Sequence, residues 1–122
     1  MPKRILIVDD ASVVRLKLKD ILQGCHYEIV AEALDGNGAV EMYKQFYPDL
    51  VTLDITMPNK DGIAALEEIL AIDKNAKVIM VTAIDQRDSL MKAIKLGAID
   101  YIIKPFEDER VISAVSKALA TG

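Results

Sequence analysis

Short runs of apolar residues alternate with amphipathic stretches of helical period along the whole chain, and this alternation restricts the fold more than any other feature. The runs lie at 5–8, 27–30, 50–53, 78–81 and 101–103 and are mostly free of internal polar alternation, which is how strands covered on both faces read. Between them the apolar positions recur three and four apart. Val14, Leu18, Ile21 and Leu22 line one side of a first helix whose other side carries Arg15, Lys17 and Lys19. Ala39, Met42, Tyr43 and Phe46 mark a second helix, and Ile63, Leu66 and Leu70 a third. Leu90, Ala93 and Ile94 mark a fourth, and Val111, Ile112, Val115 and Leu119 a fifth. Gly24 and Gly97 fall just past helices, Ser12 is placed to cap the first, and Pro48 separates the second helix from the third run. Five strand–helix units in strict alternation predict an α/β fold: a five-stranded parallel sheet with helices on both faces and right-handed crossovers. The stripes are core positions, not a cofactor box.

With 122 residues, 52% of them hydrophobic, the chain can enclose such a core as one domain spanning 1–122. No apolar run approaches the roughly 20 residues that cross a bilayer, so no membrane insertion is expected. The opening Met1-Pro2-Lys3-Arg4 lacks the length and cleavage site of a signal peptide. The single cysteine, Cys25, forms no internal disulfide, and with its neighbour His26 reads as an ordinary residue near the start of a strand. These features fit a cytoplasmic protein. A net charge of −4 argues against direct nucleic-acid binding, which rests on a surface rich in lysine and arginine.

In open parallel sheets a ligand site lies beyond the carboxyl ends of the strands, near the point where strand order reverses. The polar residues at those ends are therefore informative. The first strand ends in Asp9-Asp10, the third in Asp54, the fourth in Thr82 and the fifth in Lys104, while the second ends near Glu32, expected at the sheet edge and away from the site. Each of these has an ordinary explanation when taken alone, in a turn, a cap or a solvated strand end. Four on one rim do not. Carboxylates about 4 Å apart repel by about 4 kcal/mol at an effective dielectric of about 20, so three together must take up protons or hold a cation. Carboxylate oxygens, waters and a backbone carbonyl make a hard site suited to Mg2+. A lysine opposite the cation neutralises anionic oxygens that the metal does not reach, and a threonine hydroxyl donates to another. Together these supply the positioning and charge stabilisation on which phosphoryl transfer depends, with one carboxylate as nucleophile.

These residues and their surroundings resemble the response-regulator receiver family, in particular the CheY-like single-domain type. The resemblance covers essentially the whole chain and rests on Ile5-Leu6-Ile7-Val8-Asp9-Asp10, the segment from Pro48 through Asp54 to Pro58, Asp61-Gly62, Val81-Thr82-Ala83, and Gly97-Ala98 through Lys104-Pro105-Phe106. It implies the doubly wound, flavodoxin-like strand order 2-1-3-4-5. It further implies that Asp54 accepts a phosphoryl group from a histidine kinase, in a reaction that needs Mg2+ or Mn2+. Asp10 resembles the directly bound metal ligand and Asp9 one acting mainly through water, with Asp54 and the Thr56 carbonyl completing the set. Lys104 resembles the lysine that holds phosphoryl oxygens, and its bond to Pro105 the family's cis peptide. Thr82 resembles the switch hydroxyl, Tyr101 the switch aromatic, and small Ala83 leaves access for a donor. The output face of the family is the fourth helix, fifth strand and fifth helix, here around 86–96, 101–104 and 110–119, where Arg87, Lys92 and Lys95 suit an acidic segment of a downstream protein. The implied role is a two-component phosphoacceptor switch that assists its own phosphorylation and dephosphorylation, with chemotaxis as one pathway, and not an enzyme acting on external substrates. Thr56 and Ile84, two residues beyond Asp54 and Thr82, are poorly suited to orienting water, which predicts a long-lived phosphoryl group.

Three rival readings have discriminating features. A haloacid-dehalogenase-type phosphatase needs a second aspartate two residues after its nucleophile, where Thr56 stands. A flavin or nucleotide binder needs a glycine-rich loop after the first strand, where Asp9-Asp10-Ala11-Ser12 stands. A degenerate receiver would lack one of the site residues, and none is missing. The chain ends at Ala120-Thr121-Gly122, just after the fifth helix, which leaves open a complete regulator or a domain of a longer one with an output domain.

Overall fold

The computed structural model describes residues 2–120; Met1, Thr121 and Gly122, named above at the two chain ends, lie outside the described residues. In chain order the elements are β1 (Arg4–Val8), α1 (Ser12–Gly24), β2 (Glu28–Ala33), α2 (Gly36–Phe46), β3 (Leu50–Leu53), α3 (Gly62–Ile72), β4 (Val78–Ala83), a 3-10 turn (Ile84–Gln86), α4 (Arg87–Leu96), β5 (Asp100–Lys104) and α5 (Asp108–Ala120). The strands form one parallel sheet in the order β2-β1-β3-β4-β5, as the resemblance implies. Strand order reverses between β1 and β3.

Alternation of side chains across the pleat divides the core in two. Leu6, Val8, Val51, Leu53 and Met80 pack on one face of the sheet with Ala39, Tyr43, Leu66, Ile69 and Ala93 from α2, α3 and α4. Ile5, Ile7, Leu50, Ile79, Val81 and Ile102 pack on the other with Leu18 and Leu22 of α1 and Val111 and Val115 of α5. β1 and β3 are covered on both faces almost throughout, which is why their sequences are unbroken apolar runs.

Several local expectations need correction. Ser12 is the first helical residue of α1 and not its cap; Ala11 holds the cap position, and the Ala11 N–H is satisfied by Asp9 Oδ1 at 2.9 Å. Gly24 is the last residue of α1 and not beyond it, and the left-handed residue in the turn that follows is His26 at φ 68°. Gly97 does end α4 as expected, at φ 129°. Ile94 and Ile112, read as core, are 38% and 39% exposed, because α4 and α5 leave part of their apolar stripes uncovered. β2 starts at Glu28 and runs to Ala33, past the end of its apolar run; a register shift between Ile5 and Leu6 passes over Val30. Hydrogen bonding to β1, and not hydrophobicity, extends this edge strand.

Candidate functional site

The two central strands carry the site. β1 and β3 are aligned through Val8 and Leu53, and the hydrogen bonding continues one residue further: Asp54 N–H donates to Val8 O at 3.0 Å, and Asp9 N–H to Ala33 O at 3.1 Å. Both acids therefore leave the sheet with their backbones fixed. Asp9 is 1% exposed and Asp54 6%, whereas Asp10 is exposed. One oxygen from each of Asp9, Asp10 and Asp54 lies within 4.8 Å of the other two. Two full charges at that separation repel by about 3–4 kcal/mol at an effective dielectric of about 20.

Lys104, at the end of β5, reaches over β4 into this group. Its Nζ lies 2.7 Å from Asp9 Oδ2 and 3.4 Å from Asp54 Oδ2. The closer contact sets the ammonium directly against the buried Asp9 Oδ2. Asp54 Oδ1 accepts from the N–H of Ile55 at 2.8 Å. Burial, then the charge of Asp9, pushes the Asp54 carboxyl up to about 6, against the opposing pull of Lys104 and the Ile55 N–H. Burial also works against the Lys104 ammonium, but Asp9 and Asp54 outweigh it and hold its pKa above the usual lysine value. One ammonium does not balance three carboxylates. The donor set is hard oxygen and matches what a small divalent cation takes, and the exposed Asp10 carboxylate accepts no hydrogen bond from the described residues that would compete for it.

Thr82, near the end of β4, is fully buried, and its Oγ1 has no hydrogen-bond partner among the described residues. A buried hydroxyl left unpaired costs roughly 1–3 kcal/mol. Thr52 Oγ1 is also unpaired, but it sits mid-strand opposite Ile7, behind the rim. Thr56, two residues after Asp54, is exposed between the buried Ile55 and Met57, and Ala83 and Ile84 after Thr82 are exposed, Ile84 by 76%. The Lys104–Pro105 peptide is cis.

Of the residues singled out in the sequence, Asp9, Asp10, Asp54 and Lys104 come together, Thr82 joins their rim, and Thr56 follows in the adjoining loop. Tyr101 does not join them. It stands near the start of β5 in register with Met80, 44% exposed, with the Arg110 guanidinium 5.7 Å from its ring centroid. Glu32 is on the edge strand as expected, paired with Arg15 and Lys19.

Two residues named in the sequence have roles beside the site that the sequence reading did not assign. Arg15, placed there on the solvated side of the first helix, has a side chain only 15% exposed, and its Nη1 donates to the Asp9 carbonyl at 2.7 Å. The one available signal was an acid, Glu32, near the end of the adjacent strand. Gly62, noted as part of Asp61-Gly62, starts α3 against the backbone of the phosphoacceptor candidate. Its N–H donates to Ile55 O at 2.7 Å, and a Cβ there would lie 2.0 Å from Asp54 O. The intervening loop is tied down by Asn59 Nδ2 donating to Asp35 Oδ2 and Gly36 N–H to Lys60 O, both at 2.8 Å.

Fold and rim together define a doubly wound α/β domain with an acidic site at the carboxyl ends of its central strands, and comparison with known proteins gives the family. The response regulator receiver domain matches residues 5–116. The chain is 51% identical to the chemotaxis protein CheY of Thermotoga maritima over 117 residues, 96% of this chain and 98% of that protein. It is 53% identical to CheY of Bacillus subtilis over 119 residues, 98% of this chain and 99% of that one. Among solved structures, the CheX–CheY–BeF3–Mg complex of Borrelia burgdorferi superposes with a TM-score of 0.91 at 39% identity, covering 96% of this chain and 89% of that one. The chain belongs to the response-regulator receiver domain family, and it is a CheY-like two-component response regulator domain. No described helix is long and apolar enough to cross a membrane.

Proposed function

We propose that Asp54 accepts a phosphoryl group from the phosphohistidine of a histidine kinase, with Mg2+ or Mn2+ held by Asp9, Asp10, Asp54 and the Thr56 carbonyl. One observation carries this reading: three carboxylate oxygens within 4.8 Å of one another at one rim, with a single ammonium against two of them. When bound, the cation offsets carboxylate repulsion and the charge on the transferring oxygens.

The chain's own groups do the rest. An Asp54 carboxylate oxygen attacks phosphorus, the P–N bond breaks, and its electron pair leaves with the imidazole; an acyl phosphate remains. The Lys104 ammonium, already 3.4 Å from Asp54, neutralises one phosphoryl oxygen. The unpaired Thr82 hydroxyl donates to another, gaining the partner it otherwise lacks. Neither Thr56 nor Ile84 orients a water for hydrolysis, so the acyl phosphate is long-lived. In this reading the domain assists its own phosphorylation and dephosphorylation and turns over no external substrate.

Phosphorylation adds roughly −1.5 to −2 charges, which bias a surface only through contacts that differ between two states. Thr82 moving toward the phosphoryl group vacates space into which Tyr101 turns from its exposed position. The readout is the face of α4, β5 and α5, where Met91, Ile94, Tyr101 and Ile112 are exposed and Arg87, Lys92 and Lys95 add positive charge for an acidic partner segment. A cytoplasmic location and a role in chemotaxis complete the proposal. Incubation with acetyl phosphate and Mg2+ followed by intact-mass measurement tests it: the wild type gains one phosphoryl group and Asp54→Asn gains none. Equal labelling of both would move the acceptor elsewhere.

A further inference from the structure

Among the described residues Arg15 is the one basic side chain that binds the backbone of the acidic loop instead of its carboxylates. It lies in the first turn of α1, 15% exposed, and its guanidinium spans two elements: Nη1 donates to the Asp9 carbonyl at 2.7 Å and Nε to Glu32 Oε1 at 3.2 Å. Lys19 Nζ stands 3.5 Å from Glu32 Oε2, so the acid that orients the guanidinium is itself held. A solvated ion pair contributes little and has no need of a backbone carbonyl. A planar fork with one arm on a neutral carbonyl is a geometric device.

We infer that Arg15 is a positioning residue for cation binding, acting on Asp10 through the peptide plane that joins Asp9 to Asp10; the inference rests on the site reading proposed above. Asp9 and Asp54 need no such help, because both are buried and continue the hydrogen bonding of the sheet. Asp10 is exposed, and its carboxylate has no hydrogen-bond or ion-pair partner among the described residues. The peptide bond is planar, so fixing the Asp9 oxygen also fixes the Asp10 nitrogen and Cα, and with them the direction from which the Asp10 carboxylate enters the site. The flanking peptides are tied by Asp9 N–H to Ala33 O and by Ala11 N–H to Asp9 Oδ1, and in the plane between them Arg15 holds the carbonyl.

The sign of the effect separates this role from simple electrostatics. A guanidinium beside a cation site repels the cation, so a purely electrostatic Arg15 predicts tighter binding once it is removed. A positioning Arg15 predicts the reverse. Mg2+ titration by calorimetry should show Arg15→Ala weakened roughly tenfold, the scale on which outer partners of metal ligands act. Glu32→Gln should be weakened by a smaller factor. In 15N spectra of the metal-free proteins the Asp10 amide should shift in Arg15→Ala, since its nitrogen shares the peptide whose carbonyl loses a donor. Arg15→Gln keeps a neutral donor of shorter reach and decides the matter if the alanine variant does not fold: weakened binding supports the inference, and tightened or unchanged binding overturns it. Asp10→Asn is the control. Loss of binding there with wild-type affinity in Arg15→Ala overturns this inference alone. A wild type that binds no Mg2+, or an Asp10→Asn variant that binds as well as wild type, brings down the site reading and this inference with it.

Discussion

Asp54 sits at the balance of opposing influences, and its ionisation should be visible in stability. Its carboxyl is raised from 3.8 to about 6, chiefly by burial and then by Asp9. The folded state therefore holds this proton more tightly than the unfolded chain does. The resulting contribution is fully present below the unfolded value and is lost as pH rises through about 6. In the metal-free protein this amounts to about 2–3 kcal/mol between pH 4 and 7, since each tenfold change in proton affinity is worth about 1.4 kcal/mol. Asp54→Asn removes the effect, so urea unfolding in EDTA should find it more stable than wild type by about 2 kcal/mol at pH 7, with the advantage vanishing near pH 4. A variant no more stable at pH 7 would mean that Asp54 is not a strained carboxylate. Ile84, 76% exposed beside the rim, gives a second residue-scale prediction. Ile84→Glu or Ile84→Gln should speed loss of the phosphoryl group severalfold in a time course of intact mass, short of the roughly hundredfold of a fully positioned general base. Unchanged decay would remove the account of a long lifetime.

Among elements, the junction of β3 with α3 has the least tolerance. Gly62 brings the start of α3 against Asp54 and Ile55, where a Cβ would meet Asp54 O at 2.0 Å and Ile55 Cα at 2.8 Å. Backbone cannot yield as a flexible side chain does, so Gly62→Ala should cost more than the roughly 1–3 kcal/mol of ordinary overpacking, measured by urea unfolding, and should slow labelling by acetyl phosphate. Wild-type values for both would show that the junction has slack. This scale also marks the limits of reading the sequence. The covered strands were legible because burial on both faces writes an unbroken apolar run, as in Leu50–Leu53. β2 was legible as a strand ending near Glu32, but the register shift that passes over Val30 is a matter of backbone pairing and leaves no mark on side-chain type. Asp9, Asp10, Asp54, Thr82 and Lys104 were findable because parallel strands end at one pole. Ile94 and Ile112 have the right period and chemistry for a core, and only the neighbours that a helix acquires decide whether such a stripe is covered. The role of Arg15 depends on a rotamer aimed at a carbonyl, which no residue pattern encodes.

For the whole molecule, the cation and the fold should be linked. A ligand that binds only the folded state at about ten times its dissociation constant adds about 1.4 kcal/mol, which raises the melting temperature of a domain this size by about 4–7 °C. Thermal denaturation of wild type with Mg2+ should show that rise, EDTA should reverse it, and Asp10→Asn should show little of it. An equal rise in Asp10→Asn would assign the effect to ions acting elsewhere. The alignment of Val8 with Leu53 has a consequence of its own. Adjacent strands run about 4.7–4.9 Å apart, so the gap between the positions that follow, those of Asp9 and Asp54, is inherited from the pitch of the amide ladder. Rotamer changes cannot widen that gap at the backbone, and drift in helix surfaces or loop lengths leaves it alone. Short of taking up a proton or a cation, this architecture can relax the crowding only by replacing one of the acids, which would abolish the proposed site instead of tuning it.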